Sequence, residues 1–325
     1  MAVPVASIPV TVIGGYLGAG KTTLVNAILR GDHGRKIAVL VNDFGEVNID
    51  ASLIASDDGT TIELTNGCAC CVVSDNLAES FHAVAANEPR FDHVVLEASG
   101  VSDPERLARW ATLPGFHVDG VIVLADAETI RKRAVDRYVG ATVLQQIRSA
   151  DLVVLTKTDL AGADIVDGAR RWLSDVVPRV PVVCSSGDVG HEIALGSHLR
   201  GAMTDEREIA GIDHASVHVS FTLRFDRPFD PLRLPAVFAS APNGLIRAKG
   251  FVSVAADDQE REGSPQTRLL HVVGQRVALT SPPDTAAGEA VGISPGDAES
   301  VIVVIGIRAE LDREAVRVAL DAALV

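Results

Sequence analysis

Short apolar runs alternate with amphipathic stretches along the first two thirds of the chain. Near-continuous Val, Ile and Leu predict strands at Ile8–Ile13, Lys36–Val41, His93–Glu97, Asp119–Leu124, Leu152–Thr156 and Pro181–Cys184. Helical periodicity predicts helices at Lys21–Arg30, Ser74–Ala86, Glu128–Arg148 and Ala163–Val176. This order is typical of βαβ units, so we expect an α/β domain with a largely parallel sheet covered by helices on both faces.

The periodicity changes in the last third of the chain. Residues 201–215 are polar and acidic and lack a regular pattern, which predicts a linker. Beyond it, strands are predicted at Ser216–Phe225, Leu245–Val254, Arg268–Val273 and Val301–Ile307, and helices at Pro231–Ala239 and Leu311–Leu324. We therefore expect a first domain at residues 1–200 and a small α+β domain at residues 216–325.

Composition limits the partners and the compartment. The chain has 325 residues, 47% of them hydrophobic, and a formal net charge of −14. This charge disfavours nucleic-acid phosphates, so we expect no nucleic acid and favour a small ligand or a protein partner. We expect neither a signal peptide nor a membrane span. Four cysteines, three of them within residues 68–71, make a poor disulfide framework and indicate a reducing, cytoplasmic location.

The strongest motif follows the first predicted strand. The stretch Gly15–Thr22 fits G-x-x-x-x-G-K-[ST] between a strand and a helix, the context that a P-loop requires. Its glycines let the backbone turn tightly and direct N–H groups at phosphate oxygens. Lys21 would neutralise the β- and γ-phosphates, and the Thr22 hydroxyl would bind Mg²⁺. The residues predicted to contact the nucleotide here are Gly15, Gly18, Ala19, Gly20, Lys21, Thr22 and Thr23.

A second motif, Thr156-Lys157-Thr158-Asp159, ends a predicted buried strand and is close to the N-K-x-D guanine signature. Asp159 would accept hydrogen bonds from guanine N1–H and the 2-amino group, neither of which adenine offers. Lys157 would lay its stem along the base. Thr156 stands where asparagine is usual, which weakens the match. Together with the P-loop, the motif predicts a P-loop NTPase that binds GTP.

Two further segments carry carboxylates. Glu97 ends a predicted strand and Gly100 follows three residues later, so we expect the carboxylate to contact Mg²⁺ through water and the glycine N–H to sense the γ-phosphate. Residues 42–50 suit a nucleotide-dependent switch loop, with Asp43, Glu46 and Asp50 able to meet Mg²⁺, water or a second metal. The residues predicted to take part in catalysis are Lys21, Thr22, Asp43, Glu46 and Glu97.

Cys68, Cys70 and Cys71 lie in T-N-G-C-A-C-C, after a short apolar strand predicted at Thr61–Leu64. Thiolates suit Zn²⁺, Cu⁺ and iron, and this loop supplies three of the four donors that tetrahedral zinc needs. The fourth position is filled by another residue of the chain, by water, by a ligand of a partner or by nothing, and Glu46 and water are the first candidates. A redox function is the alternative, because neighbouring thiols can form a disulfide. The remaining cysteine, Cys184, lies on a predicted strand, where a buried thiol usually packs as a small hydrophobe.

Five motifs in this order resemble the CobW-type metal-chaperone GTPases: G-G-Y-L-G-A-G-K-T, N-D-F-G-E-V-N-I-D, T-N-G-C-A-C-C, E-A-S-G and T-K-T-D. The segments F-T-L-R-F-D-R-P-F-D and V-I-V-V-I-G-I-R-A-E-L-D resemble that family's second domain. The resemblance implies GTP hydrolysis coupled to delivery of zinc or cobalt to a client metalloprotein, with Cys68, Cys70 and Cys71 as metal ligands. Thr156 departs from the usual asparagine. A histidine-rich stretch common in the family is missing, and we do not interpret His191 and His198 as ligands.

The sequence therefore predicts a nucleotide-controlled metal site. In this hypothesis, Mg²⁺–GTP orders residues 42–50 and 65–71, and hydrolysis loosens both segments and releases the metal. The second domain is the natural place for client contact or for self-association as a homodimer. Three alternatives remain: a P-loop kinase or ATPase with incidental cysteines, a thiol redox regulator, and a non-catalytic binding module.

Overall fold

A computed structural model describes residues 7–30, 35–41, 61–63, 74–86, 91–185, 218–240, 242–255, 265–281 and 300–325. These residues belong to two compact units, Ile8–Ser197 and a second formed by His198–Val325 with Met1–Ser7. The predicted linker at residues 201–215 lies outside the described residues, so the predicted domain limits stay a prediction.

The first unit is an α/β layer structure. Its strands are β1 (Ile8–Gly15), β2 (Ile37–Val41), β3 (Thr61–Glu63), β4 (His93–Glu97), β5 (Phe116–Asp126), β6 (Leu152–Thr156) and β7 (Val182–Cys184). They form one sheet in the order β3-β2-β4-β1-β5-β6-β7, with every neighbouring pair parallel. The helices are α1 (Lys21–Arg30), α2 (Ser74–Ala85), α3 (Pro104–Ala108), α4 (Ile130–Ala134), α5 (Gly140–Arg148) and α6 (Ala163–Val176). The predicted parallel α/β fold is confirmed.

The core of this unit lies between the sheet and its helices. Every residue of β2, β4 and β6 is buried, because central parallel strands are covered on both faces. Phe81 of α2 packs edge-on against Phe116 at the start of β5, with ring centroids 4.9 Å apart. Parallel strands end at a common edge of the sheet, where ligands bind in this class of fold. The loops that follow β1, β4, β5 and β6 therefore share that edge.

The helix predicted at Glu128–Arg148 is wrong as a single element. It divides into α4 and α5, because the Asp136 carboxylate accepts hydrogen bonds from the N–H groups of Tyr138 and Val139, at 2.8 and 3.2 Å, and turns the chain. Gly140 starts α5 where a Cβ would lie 2.6 Å from the Ala134 carbonyl oxygen. The break leaves α4 as a separate short helix after β5.

The second unit is an antiparallel sheet with two helices. Its strands are β8 (His218–Phe225), β9 (Leu245–Val254), β10 (Gln266–Val273), β11 (Arg276–Thr280) and β12 (Ser300–Ile307), in the order β11-β10-β9-β12-β8. Helices α7 (Arg233–Ala239) and α8 (Arg313–Asp321) contribute Phe238 and Leu320 to its core. The predicted α+β class is confirmed. Strand β11 was not predicted; it forms a hairpin with β10 through a turn at Gly274, whose φ is 55°.

In the part of the chain that the structure describes, no helix is both long enough and apolar enough to cross a membrane.

Candidate functional site

The phosphate loop joins β1 to α1 and depends on glycine at three positions. Gly15, Gly18 and Gly20 have φ values of 132°, 75° and 96°, a range that side chains other than glycine rarely adopt. A Cβ at Gly15 would also lie 2.5 Å from the Leu124 carbonyl oxygen of β5. The loop turns directly into α1, whose N-terminus favours anions. Its backbone is therefore shaped as the motif predicts.

The first residues of α1 bring a cation and a hydroxyl to this loop. Lys21 is buried, with 6% of its surface exposed, whereas Thr23 is exposed. The Thr22 hydroxyl donates a hydrogen bond of 3.1 Å to the Glu97 carboxylate at the end of β4. Hydroxyl and carboxylate oxygens are the hard ligands that Mg²⁺ prefers, so the donor set fits that ion. The structure therefore brings together two residues predicted to act at Mg²⁺ that are 75 positions apart.

The loop after β4 lies against the phosphate loop. A Cβ at Gly100 would stand 2.8 Å from the Leu17 backbone nitrogen, so this approach requires glycine. The buried Gln146 side chain of α5 donates hydrogen bonds to the carbonyls of Gly100 and Ser102, at 3.1 and 2.8 Å. Sequence reasoning missed Gln146, because nothing in its local pattern indicates a partner 46 residues away.

The guanine motif is joined to the phosphate loop through Thr156 at the end of β6. Its hydroxyl can donate a hydrogen bond to the carbonyl oxygen of Ala19 or of Ala125, at 2.9 and 3.3 Å. The threonine thus makes a side-chain bond to the phosphate loop although it replaces the usual asparagine. Asp159 follows on the surface and is exposed, and its contact with guanine stays a prediction.

Lys157 is held by a residue that the sequence did not indicate. Its ammonium lies 2.7 Å from Oδ2 of Asp126, the last residue of β5. Burial alone would raise the pKa of Asp126, but the hydrogen bond and charge of Lys157, with two backbone N–H groups, outweigh it and lower the pKa. Asp126 is therefore ionised at neutral pH. An acidic residue that ends a buried parallel strand is a signal that could have found it.

Two family profiles match the chain in the same order as the two compact units. The profile of the CobW/HypB/UreG nucleotide-binding domain matches residues 9–184, and that of the cobalamin synthesis protein cobW C-terminal domain matches residues 218–324. The chain belongs to the CobW-type P-loop GTPase family. The resemblance seen in the sequence is thus confirmed, and the reaction of this CobW-type GTPase is hydrolysis of GTP to GDP and phosphate.

Several relatives of this CobW-type GTPase are named for metal handling. The zinc chaperone CobW of Sinorhizobium sp is 30% identical, with 97% of each chain covered. The zinc chaperone YjiA of Escherichia coli is 32% identical over 83% of this chain and 87% of the relative. A crystal structure of Zn(II)-bound YjiA GTPase from E. coli aligns with a TM-score of 0.43 and 24% identity, covering 98% of this chain and 99% of that one.

The remaining predicted site residues of this CobW-type GTPase lie outside the described residues. They are Asp43, Glu46, Asp50, Cys68, Cys70 and Cys71. The strands that precede them are described: β2 ends at Val41 and β3 at Glu63, and Val41 is paired in register with both Glu63 and Glu97. The described strands that precede both segments therefore end beside the strand end that carries Glu97.

Cys184, the described cysteine of β7, packs at the margin of the core. Burial raises the pKa of its thiol; the charge of Arg170 lowers this pKa, and the charge of Asp167 raises it further. A thiol that resists ionisation is a poor nucleophile and metal ligand. This environment agrees with the interpretation of Cys184 as a packing residue.

Replacing Thr156 with valine is expected to weaken binding of GTP and GDP about fivefold, because one hydrogen bond contributes about 1 kcal/mol net. Valine keeps the side-chain shape and removes only the hydroxyl that reaches the Ala19 carbonyl. Displacement of a fluorescent GDP analogue measures the change. Thr112→Val, which removes a hydroxyl bond to the Arg109 carbonyl, is the control. Equal affinity in Thr156→Val and wild type would show that the bond does not support the site.

Proposed function

We propose that this GTPase is a metallochaperone. It binds zinc, with cobalt as the second candidate, through Cys68, Cys70 and Cys71, and it delivers the metal to a client metalloprotein in a nucleotide-dependent way. Two kinds of support exist: the chemistry of three neighbouring thiols, which suits a soft or borderline metal, and the names of relatives that are zinc chaperones.

The observation that carries the proposal is the shared edge of the sheet. Glu63, Val41 and Glu97 lie side by side on β3, β2 and β4. Adjacent strands are about 4.8 Å apart, which places the ends of β3 and β4 about 10 Å from each other. Cys68 follows Glu63 by five residues, a length of chain that reaches at most about 17 Å. This chain length supports the proposal, because a thiol motif tethered to β3 can reach the nucleotide site.

The nucleotide chemistry follows from the phosphate loop and the strand ends. Backbone N–H groups of the loop and the Lys21 ammonium stabilise negative charge on the β- and γ-phosphates. The Thr22 hydroxyl would bind Mg²⁺ and the Glu97 carboxylate would contact it through water; the ion supplies further charge neutralisation when bound. The backbone of Gly100 lies beside Leu17 of the phosphate loop. From there its N–H would donate a hydrogen bond to the γ-phosphate.

The coupling step uses the two segments that begin at this edge. With GTP bound, residues 42–50 and 65–71 are ordered against the γ-phosphate and assemble the thiol site, to which Glu46 or water adds a fourth ligand. After hydrolysis the γ-phosphate contact at Gly100 is lost and the metal is released to the client. Coupling is reciprocal, so metal must also tighten GTP binding.

Zinc affinity is expected to differ between nucleotide states by about 5- to 150-fold, the usual range for coupled sites, and to be tighter with a non-hydrolysable GTP analogue than with GDP. Competition with a chelating dye, in the presence of Mg²⁺, measures it. Cys70→Ser is expected to remove the difference. Cys184→Ser is the matched control, because that thiol is packed at the core margin and should leave zinc affinity unchanged.

Two results would overturn the proposal. One is equal zinc affinity in the two nucleotide states, and the other is unchanged affinity in Cys70→Ser. Repeating the series with Co²⁺ ranks the two metals. Titration with ATP and GTP tests the kinase or ATPase alternative, since Asp159 predicts binding of GTP only.

A further inference from the structure

We propose that Asp126 is a positioning residue for both halves of the nucleotide site, an inference that rests on the proposed site. One carboxylate oxygen holds Lys157 of the base half. The other accepts hydrogen bonds from the turn that leads into α4, the helix whose Arg133 contacts the phosphate loop. The two halves of the site are thus oriented by a single side chain.

Asp126 forms an ion pair with Lys157. Asp126 is buried, with 4% of its surface exposed, while the Lys157 side chain is 37% exposed. Lys157 has a φ of 57°, which is uncommon for a side chain with a Cβ. Oδ2 of Asp126 lies 2.7 Å from the ammonium and fixes the end of this long side chain. The lysine stem is then already ordered when a purine base arrives.

Asp126 also stabilises the turn after β5. Oδ1 of Asp126 accepts hydrogen bonds from the N–H groups of Glu128 and Thr129, at 2.9 and 3.2 Å. The Thr129 carbonyl then accepts the Arg133 N–H at 2.9 Å, the first helical bond toward α4. The carboxylate therefore sets the direction in which this short helix leaves the sheet.

Arg133 contacts the phosphate loop directly. Its guanidinium donates a hydrogen bond to the Leu17 carbonyl and stands over the Tyr16 ring, with its central carbon 5.0 Å from the ring centroid. Its second terminal nitrogen lies 4.0 Å from the place of a Cβ at Gly18. These contacts fix the outer part of the loop whose N–H groups bind phosphate. Asp126 supports that contact through the backbone of α4.

The oxygens can be separated by substitution in the full-length protein. Asp126→Asn retains an oxygen for the N–H groups of the turn but presents an amide NH₂ group to the Lys157 ammonium. Only the contact that orients Lys157 is therefore lost. We expect the Kd of a fluorescent GDP analogue to rise about tenfold, with GTP affected equally and kcat at saturation unchanged. When Asp126→Asn is introduced into the Lys157→Met variant, the Kd should not rise further. Asp126→Ala loses both oxygens and should bind more weakly than Asp126→Asn.

The link to Arg133 has its own test. Arg133→Gln is expected to weaken GDP binding several-fold in the Asp126→Asn background and to have little effect in the Asp126→Ala background, where the helix is already displaced. Asp136→Asn is the matched control, because its carboxylate makes the same type of turn with Tyr138 and Val139. Thermal unfolding of each variant confirms that binding is compared between folded proteins.

The outcomes separate this inference from the site on which it rests. If Lys21→Ala and Asp159→Asn weaken GDP binding but neither Asp126→Asn nor Asp126→Ala does, Asp126 has no positioning function and the site stands. Full additivity of Asp126→Asn with Lys157→Met, or an equal cost of Arg133→Gln in both Asp126 backgrounds, also overturns the inference. If Lys21→Ala and Asp159→Asn also bind normally, the proposed site itself is wrong.

Discussion

Lys21→Ala is expected to reduce kcat/KM for GTP hydrolysis by about a hundred- to a thousandfold, the usual cost of removing one donor that stabilises transition-state charge. Lys21 is buried at the start of α1 beside the glycine-rich loop, and alanine at this position carries no charge for the phosphates. Phosphate release at varied GTP concentration, with Mg²⁺ present, gives kcat and KM separately.

Lys132→Ala is the control for this experiment, because Lys132 is an exposed lysine of α4 that the nucleotide site does not use. It should hydrolyse GTP at the wild-type rate. Activity of Lys21→Ala within the range of the control would mean that the phosphates bind elsewhere.

Asp159→Asn is expected to reverse the base preference. Loss of two charge-assisted hydrogen bonds to guanine, each contributing about 1.5 to 3 kcal/mol, corresponds to roughly a hundred- to ten-thousandfold weaker GTP binding. Asparagine can instead donate to the 2-oxo group of xanthine, so xanthosine triphosphate should bind better than to the wild type. Competition of both triphosphates against a fluorescent GDP analogue measures the two changes together.

A gain for xanthosine triphosphate distinguishes base recognition from general damage to the site. Asp175→Asn, an exposed change on α6, is the control and should alter neither affinity. If Asp159→Asn weakens both triphosphates to the same extent, Asp159 supports the loop without reading the base.

The sequence predicted the elements whose patterns are strong and continuous. Helices α1 and α6 and strands β4 and β6 begin and end at the predicted residues, because apolar periodicity and strand burial agree there. The break between α4 and α5 was not predicted, since Val135 and Tyr138 continue an apolar pattern although both are exposed. There the Asp136 turn overrides helical periodicity.

The candidate site was predictable only where a local motif encodes it. Thr22 and Glu97 were predicted because each belongs to a short motif in a recognisable strand or helix context. Asp126, Arg133 and Gln146 were not, because their partners lie 31, 116 and 46 residues away and are brought close only by the order of strands in the sheet. Such contacts depend on topology, which one-dimensional spacing does not contain.

The hydrogen bonds of Gln146 tie the loop after β4 to helix α5. Its amide holds the carbonyls of Gly100 and Ser102, and the adjacent Gln145 holds Asp103 at 2.7 Å. Freeing the loop from α5 would leave buried polar groups unpaired, at about 1 to 3 kcal/mol each. Movement of the loop therefore costs less free energy when α5 moves with it. We therefore expect helix α5 to move together with the loop when the nucleotide changes.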